Sequence, residues 1–497
     1  MRRTEKLTNR NRHFFLTILL CLSLILGIVG CNSNTGTNTE PGTAVQSESA
    51  GKSDVAGQGD GAGQADGAEQ GDGAGQSEGT EEKTGDLTAS GDTKTEAGSN
   101  EKEDAKTDAG SNEKEDSKTE SLLPQTTIPE LTIEKKAVPE TEAMRFVENL
   151  KIGVSLGNTF DAYKDTGLSD EMSTETAWVN VKTSKSIIHA FHEAGFKTIR
   201  IPVSWHNHVD KEYNISEKWM ARVQSVVDWA IEDGMYVILN IHHDNHPEAN
   251  GFYPDNAHKE QSESYIRSVW SQLAERYKDY DEHLIFESMN EPRLVGHEYE
   301  WWIPSGNGDV KESVLCINEL NQLFVDTVRA SGGYNASRYL MCPGYDASAD
   351  GAMHSDFVLP KDTPEMESLR RIIVSVHAYT PYDFALNLSG TSYFSSEKKS
   401  STRDIDSFMD KLYNRYVVKG IPVVIGEFGA LDKDNNLQER VDFAAYYVAS
   451  ARARGMTALW WDNNSFSGNG ENFGLLYRIG GYIVYEDIVD ALMKYVD

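Results

Sequence analysis

The chain has 497 residues and a formal net charge of −31, from 78 acidic side chains against 47 Lys and Arg. That length allows two or three average domains, and that charge excludes a nucleic-acid surface, which has to be basic. Four cysteines are present, and none falls in a metal-binding spacing.

Arg2, Arg3, Lys6, Arg10 and Arg12 precede an apolar run, Phe14 to Gly30, which stops at Cys31. A basic segment before a short apolar core reads as an export signal; as a single uncleaved anchor it is at the short limit for a bilayer span. The stretch Ile28-Val29-Gly30-Cys31 resembles a bacterial lipoprotein signal. That resemblance implies residues 1–30 as signal, lipid attachment at Cys31 and a place on the extracellular face of the bacterial cell membrane. A secreted or signal-anchored chain is the alternative.

Residues 31–142 are mainly Gly, Ser, Thr, Asp, Glu, Gln and Lys, too little apolar surface to offset ordering entropy. Within them KTEAGSNEKEDA (Lys94 to Ala105) is followed by KTDAGSNEKEDS (Lys106 to Ser117), a short polar repeat that suits a disordered tether and not a solenoid. Residues 32–140 hold 24 acidic against 9 basic side chains, so about half the net charge belongs to the tether.

Residues 143–497 form one aromatic-rich block. Short apolar runs bounded by polar or glycine residues predict eight strands there: Lys151 to Gly157, Lys197 to Trp205, Tyr236 to His243, Leu284 to Pro292, Tyr339 to Tyr345, Ile372 to Tyr379, Pro422 to Gly429 and Met456 to Asn463. Amphipathic runs lie between them, among them Trp219 to Gly234, Ser264 to Tyr280, Asn318 to Gly333 and Glu439 to Gly455. Several of these end in glycine, a C-cap signal. The thinnest crossover precedes the sixth strand, where Pro364 to Arg371 is short for a helix. Eight parallel strands with helical crossovers predict an α/β protein built as a (β/α)8 barrel, with a doubly wound open sheet as the alternative.

In a barrel the C-terminal strand ends carry the chemistry, and the polar residues of this chain collect there. Asn158 and Asp161 follow the first strand, Arg200 and Trp205 lie toward the end of the second, and His242, His243 and Asp244 close the third. Glu291 closes the fourth, His377 and Tyr379 the sixth, Glu427 the seventh, and Trp460 to Asn464 the eighth. Glu287 and Glu291 share parity, so an uninterrupted strand would aim both inward, with Glu287 about 13 Å deeper at about 3.3 Å per residue. Glu287 therefore reads as an interior carboxylate that needs a basic partner from a neighbouring strand, and Glu291 as the working one. Glu291 and Glu427 facing each other across a cleft would be the apparatus of glycoside hydrolysis.

GNTFDA (Gly157 to Ala162), TIRIPVSW (Thr198 to Trp205), NIHHD (Asn240 to Asp244), NEP (Asn290 to Pro292), HAYTP (His377 to Pro381), GEFG (Gly426 to Gly429) and WWDN (Trp460 to Asn463) occur in this order. With them, residues 145–497 resemble a glycoside hydrolase family 5 catalytic domain. GNTFDA, TAW (Thr176 to Trp178) and PVSWHNHV (Pro202 to Val209) resemble its endo-glucanases and xyloglucanases more than its mannanase-like branch. The resemblance implies a retaining endo-β-1,4-glucanase with Glu291 as acid/base and Glu427 as nucleophile. It also implies substrate contacts from Asn158, Arg200, Asn290, His377, Tyr379 and Trp461, and from one of His242 and His243. Arg200 and Tyr379 would favour the ionised form of Glu427, and His377 would hold Glu291. No cofactor and no metal is expected, and a β-glucan is the expected substrate of a monomer.

Other readings stay open at this level. The enzyme could instead be specific for xyloglucan, mixed-linkage glucan or mannan, or be a non-catalytic surface glycan-binding lipoprotein. Trp301 and Trp302 could extend a sugar platform or pack. His206 and His208 suit loop fixing better than ligation, Asp432 to Asn436 suits a turn better than a calcium loop, and Cys316 and Cys342 suit a disulfide or buried thiols.

Overall fold

The computed structural model describes residues 126–497, apart from 166–167, 169, 248–249 and 469. The signal, Cys31 and most of the tether lie outside the described residues. The eight strands are β1 (Gly153–Leu156), β2 (Thr198–Ile201), β3 (Tyr236–Asn240), β4 (Leu284–Glu287), β5 (Leu340–Ser348), β6 (Ile372–His377), β7 (Val423–Phe428) and β8 (Thr457–Asp462). Each pairs in parallel with the next and β8 pairs with β1, so the sheet closes as a (β/α)8 barrel and the open-sheet alternative falls.

The helices are α1 (Glu142–Leu150), α2 (Lys185–Glu193), α3 (Glu217–Glu232), α4 (Lys259–Arg276), α5 (Gly308–Ala330), α6 (Ala349–Met353), α7 (Pro364–Glu367), α8 (Tyr382–Ala385), α9 (Lys399–Arg415), α10 (Leu437–Ala453) and α11 (Glu486–Lys494). Only α6 and α7 span the crossover from β5 to β6, in line with the weak helical signal there. Helix α1 starts where the Thr141 side chain accepts a hydrogen bond from the Met144 backbone, a standard N-cap. Its apolar positions Ala143, Phe146, Val147 and Leu150 form one buried cluster with Tyr236, Ile238, Ile285, Tyr339, Met341, Ile373, Val424 and Leu459. These strand residues are the inward positions of β3 to β8, so α1 plugs the N-terminal mouth of the barrel. Further along, positions of the same parity turn polar or small: Ser155, Arg200, Asn240, Glu287, Ser375 and Gly426, all of them in the barrel strands. The barrel is thus apolar at the bottom and charged toward the top.

Three strands stop at least three residues short of the sequence expectation. β2, β3 and β4 end at Ile201, Asn240 and Glu287, so Trp205, His242, His243 and Glu291 stand beyond the ladder. Polar neighbours take over the backbone groups there, as when the Asn240 side chain accepts from the Val203 N–H at 3.0 Å.

The tether boundary also needs correction. Residues 126–141 contain no helix or strand, yet they are strapped along α10 and α11 and belong with the barrel. Thr127 exchanges two hydrogen bonds with the Gln438 side chain, both 2.8 Å. The Leu131 N–H donates to the Tyr495 hydroxyl at 2.8 Å. Lys136 donates from its backbone to the Ala453 carbonyl at 2.7 Å and from its ammonium to Asp410 at 2.6 Å. The strap therefore runs from the first turn of α10 to its last, and then into α1. Cys316 and Cys342 are separate buried thiols.

Candidate active site

Arg200 is the centre of the polar interior. It is fully buried and spreads its guanidinium over three acceptors, each at 2.7 Å: Nε to Glu287, Nη1 to Glu427 and Nη2 to the Asn290 side-chain oxygen. Glu287 also accepts from Ser375 at 2.6 Å and from Asn240 at 3.0 Å. Burial alone would raise its carboxyl, but Arg200, His377 and Ser375 outweigh that and hold it down at about 2. The expected basic partner is therefore present on β2. Glu287 is nevertheless not remote from the mouth, because a single guanidinium joins it to Glu427.

Parity does not explain how Glu291 and Glu427 reach the cleft. After Glu287 the ladder ends, and the Asn290 N–H donates to the Ile241 carbonyl at 2.8 Å, so the alternation behind the shared-parity argument is lost. On β7, counting from inward Val424 would send Glu427 outward. Register shifts against both β6 and β8 fall in this segment, Glu427 turns into the barrel, and Phe428 packs outside against Tyr447 of α10. A bulge that re-aims a side chain beside a functional site is a recurrent device. Glycine at 426 leaves room here, since a Cβ would lie 3.0 Å from the His377 ring and press on it.

Glu427 accepts from Arg200 and, at 3.0 Å, from the Tyr379 hydroxyl. Glu291 is hydrogen-bonded to His377 Nδ1 at 2.8 Å, and that nitrogen is 3.7 Å from Glu427. One carboxylate oxygen from each glutamate and one His377 nitrogen all fall within 4.8 Å of one another. Burial lowers His377, but Glu427, Glu287 and Glu291 around it outweigh that and lift it to about 10. Burial works to raise Glu291 too, and the charged His377 reverses it, holding Glu291 below the ordinary carboxylate range. Burial and the charge of Glu291 push Glu427 up, against His377, Arg200 and Tyr379. Both oxygens of Glu427 nevertheless accept from donors that suit a carboxylate, and on that geometry we assign it the ionised form. The transferable proton then belongs to the His377–Glu291 pair.

The aromatic walls follow from the same parity. Trp460 points out of the barrel and donates to the Phe473 carbonyl at 2.9 Å, whereas Trp461 points in. A Cβ on Gly157 would lie 2.6 Å from the Trp461 ring, so glycine at the end of β1 makes the room this tryptophan needs. His242 lies parallel to Trp461, with ring centroids 5.7 Å apart. Its Nδ1 accepts from the Asn240 amide at 3.2 Å, which leaves Nε2–H to face the cleft. His243 is more exposed, flanked by Tyr163 at 5.7 Å and Trp178 at 5.6 Å. Burial keeps both neutral, His242 well below the usual imidazole value and His243 down at about 4. Asn290 gives its oxygen to Arg200, so its amide protons are what it offers a substrate. Asn158 closes β1 with φ of 58° and donates its backbone N–H to Asp161 at 2.9 Å.

The loop residues also find places. His206 donates its Nδ1–H to Asp244 at 2.7 Å, and His208 stacks on Trp219 at 3.6 Å, so both fix their loop. Asp434 and Asn435 both have positive φ, which makes that segment a turn. Trp301 and Trp302 are 63% and 66% exposed, so neither is packed into the core. Sequence reasoning missed Arg293, although it ends the very run that holds Glu291, and missed Asp346, which no motif marked. The sequence showed no convergent metal-ligand spacing, yet among the described residues the fold brings together two three-residue groups, Asp161 with His242 and His243, and Glu291 with His377 and Glu427.

A family model described as cellulase (glycosyl hydrolase family 5) matches residues 160–467. Endoglucanase A of Clostridium longisporum is 41% identical over 366 residues, covering 73% of this chain and 67% of that one. A family 5 lichenase from Caldicellulosiruptor sp. F32 has a solved structure that is 54% identical with a TM-score of 0.73, covering 75% of this chain and all of that one. A xyloglucan-specific endo-β-1,4-glucanase of the same family from a metagenomic library, solved with cellotriose, is 38% identical with a TM-score of 0.64, covering 71% and 98%.

Proposed function

The chain belongs to the cellulase family, glycosyl hydrolase family 5, and from that premise we propose a double-displacement mechanism with Glu427 as nucleophile and Glu291 as acid/base. The enzyme is a glycoside hydrolase that cleaves β-1,4-glucan backbones internally. One observation carries the mechanism: the oxygens of the two carboxylates approach within 4.8 Å. Retaining enzymes hold the two carboxyls about 5–5.5 Å apart, and inverting ones need about 6.5–9.5 Å to admit a water between.

In the first step Glu427 attacks the anomeric carbon and forms a glycosyl ester, while the proton of the His377–Glu291 pair passes from Glu291 to the leaving oxygen. In the second, Glu291 takes a proton from water, whose oxygen attacks the same carbon and displaces Glu427. Arg200 and Tyr379 stabilise Glu427 as it departs. Asn290 offers its amide to the 2-hydroxyl of the sugar under attack, a contact that strengthens in the transition state. Trp461 supports that sugar by its ring face.

Initial rates of residues 126–497 on carboxymethyl-cellulose, mixed-linkage β-glucan, xyloglucan and mannan, with Glu427→Gln as blank, test the substrate class. We expect the glucans to be cleaved and mannan to be the poorest substrate. Mannan as the best substrate would overturn the β-1,4-glucan reading.

The site also works in a particular place under this reading: outside the bacterial cell membrane, held as a monomer by a lipid on Cys31 through the tether. The apolar run ending in Ile28 to Cys31 supports it. Three chains test it by fractionation and melting. The full chain is expected with membranes, and one starting at residue 126 in the soluble fraction with the same activity and Tm. One starting at residue 142, without the strap, is expected to lose about 3 °C or more in Tm. Membrane association of the chain starting at 126 would sink the anchor.

A further inference from the structure

Arg293 is not among the groups used above, yet four separate contacts converge on it. Its Nη1 donates to the backbone carbonyl of Glu291 at 3.0 Å and is 3.7 Å from the Glu291 carboxylate. Its Nε donates to Glu300 at 3.2 Å and lies 3.9 Å from the Asp346 carboxylate. Its guanidinium carbon lies over Trp301, 3.9 Å from the ring centre, and that ring is otherwise exposed.

Each partner is itself fixed. Asp346 and Ala347 both adopt positive φ, 57° and 44°, where β5 shifts register against β6. Two consecutive non-glycine residues in that region are strained, and the neighbouring chain holds them there, since the Asp346 N–H donates to the Pro292 carbonyl at 2.8 Å. Asp346 Oδ1 is buried and has no hydrogen-bond partner, so Arg293 at 3.9 Å is its nearest compensation. Glu300 accepts a second bond from the Gly296 N–H at 2.9 Å, pinning the loop that carries Trp301. An arginine stacked on an indole and forked toward carboxylates is pre-organised in a way that lysine would not be.

Trp461 and His242 mark the sugar that Glu427 attacks, whereas Trp301 is tied through Arg293 to Glu291, the group that faces the leaving oxygen. Trp301 is therefore on the side of the departing chain. We propose that Arg293 is a positioning residue that couples this exposed tryptophan to the acid/base Glu291. A leaving-group sugar on the open face of Trp301 presses the indole onto the guanidinium, and the guanidinium holds the Glu291 backbone and carboxylate in line with the glycosidic oxygen. Glu300 is the anionic seat of Arg293, and Asp346, whose carboxyl burial and the charge of Glu291 push well up, borders it at 3.9 Å. This inference rests on Glu291 being the acid/base, and the test separates the two.

The measurement is kcat/KM for Arg293→Met, Trp301→Ala, their double variant and Glu291→Gln on two substrates. Cellotetraose needs its leaving oxygen protonated; a dinitrophenyl β-cellobioside, whose phenolate leaves unaided, does not. Arg293→Met is expected to lose about 30-fold on cellotetraose and less than about 3-fold on the aryl substrate. Activity on the aryl substrate also shows that the variant is folded. The double variant is expected within about 2-fold of Arg293→Met on cellotetraose, because the two residues act in series. Equal losses of Arg293→Met on both substrates, or losses that multiply in the double variant, would overturn the coupling. Glu291→Gln is expected to show the same leaving-group contrast more strongly. Equal loss of Glu291→Gln on both would instead remove the acid/base assignment beneath it.

Discussion

Glu427→Gln is expected to lower kcat on soluble glucan on the order of 10⁴-fold or more while the barrel stays folded, because no second group can form the glycosyl ester. Glu291→Gln is expected to cost about 10²–10⁴-fold on the same polymer, the range of one general acid/base. Size alone does not separate the two roles; azide does. With an activated aryl glycoside, azide should reopen catalysis in alanine variants at both positions, by different routes. In Glu291→Ala the ester to Glu427 still forms, and azide displaces it to give a β-glycosyl azide. In Glu427→Ala there is no ester, azide enters the vacated face directly, and the product is the α-anomer. NMR of the azide product reads the anomer. Exchange of the two outcomes would exchange the two roles, and rescue of neither would remove both from the mechanism.

Arg200→Met is expected to cost about 3–5 kcal/mol of stability at pH 7, because it leaves Glu287 and Glu427 buried without their common cation. The pH dependence has a definite sign. Glu287 is held down to about 2 in the folded chain against an ordinary value of 4.5. That difference contributes stability present above 4.5 and lost as pH falls through about 2. In the variant the contribution is absent and both carboxyls rise, so wild type and variant should converge as the pH drops from 5 toward 2. Denaturant titrations at pH 7 and pH 4 would follow this. A difference under about 1 kcal/mol at pH 7 would mean that water, and not Arg200, compensates the interior carboxylates.

These two expectations stand at different distances from the sequence. The eight apolar runs, their helical spacers and the clustering of polar residues at strand ends are legible because a buried parallel strand has to be apolar over its length and polar only where it leaves the barrel. The partner for Glu287 was legible as a need, since a buried carboxylate must be compensated. That Arg200 satisfies it, and satisfies Glu427 and Asn290 at once, was not. Three strands meet at one guanidinium across 227 residues of chain, and only closure of the sheet brings them together.

The sequence by itself determined the barrel and put Glu291 and Glu427 at its strand ends, because strand period and strand-end chemistry are local properties, whereas Trp461 was set apart from Trp460 by the family pattern alone. The tertiary structure decided how Glu427 turns inward. A register shift depends on how β6, β7 and β8 pair, and parity counted along one strand gives the wrong face. It also decided that residues 126–141 are strap and not tether. Their composition is that of a linker, and only the folded helices α9, α10 and α11 supply partners for their backbone. Arg293, Asp346 and Trp301 likewise become one unit only when the loop after β4 is laid against the end of β5.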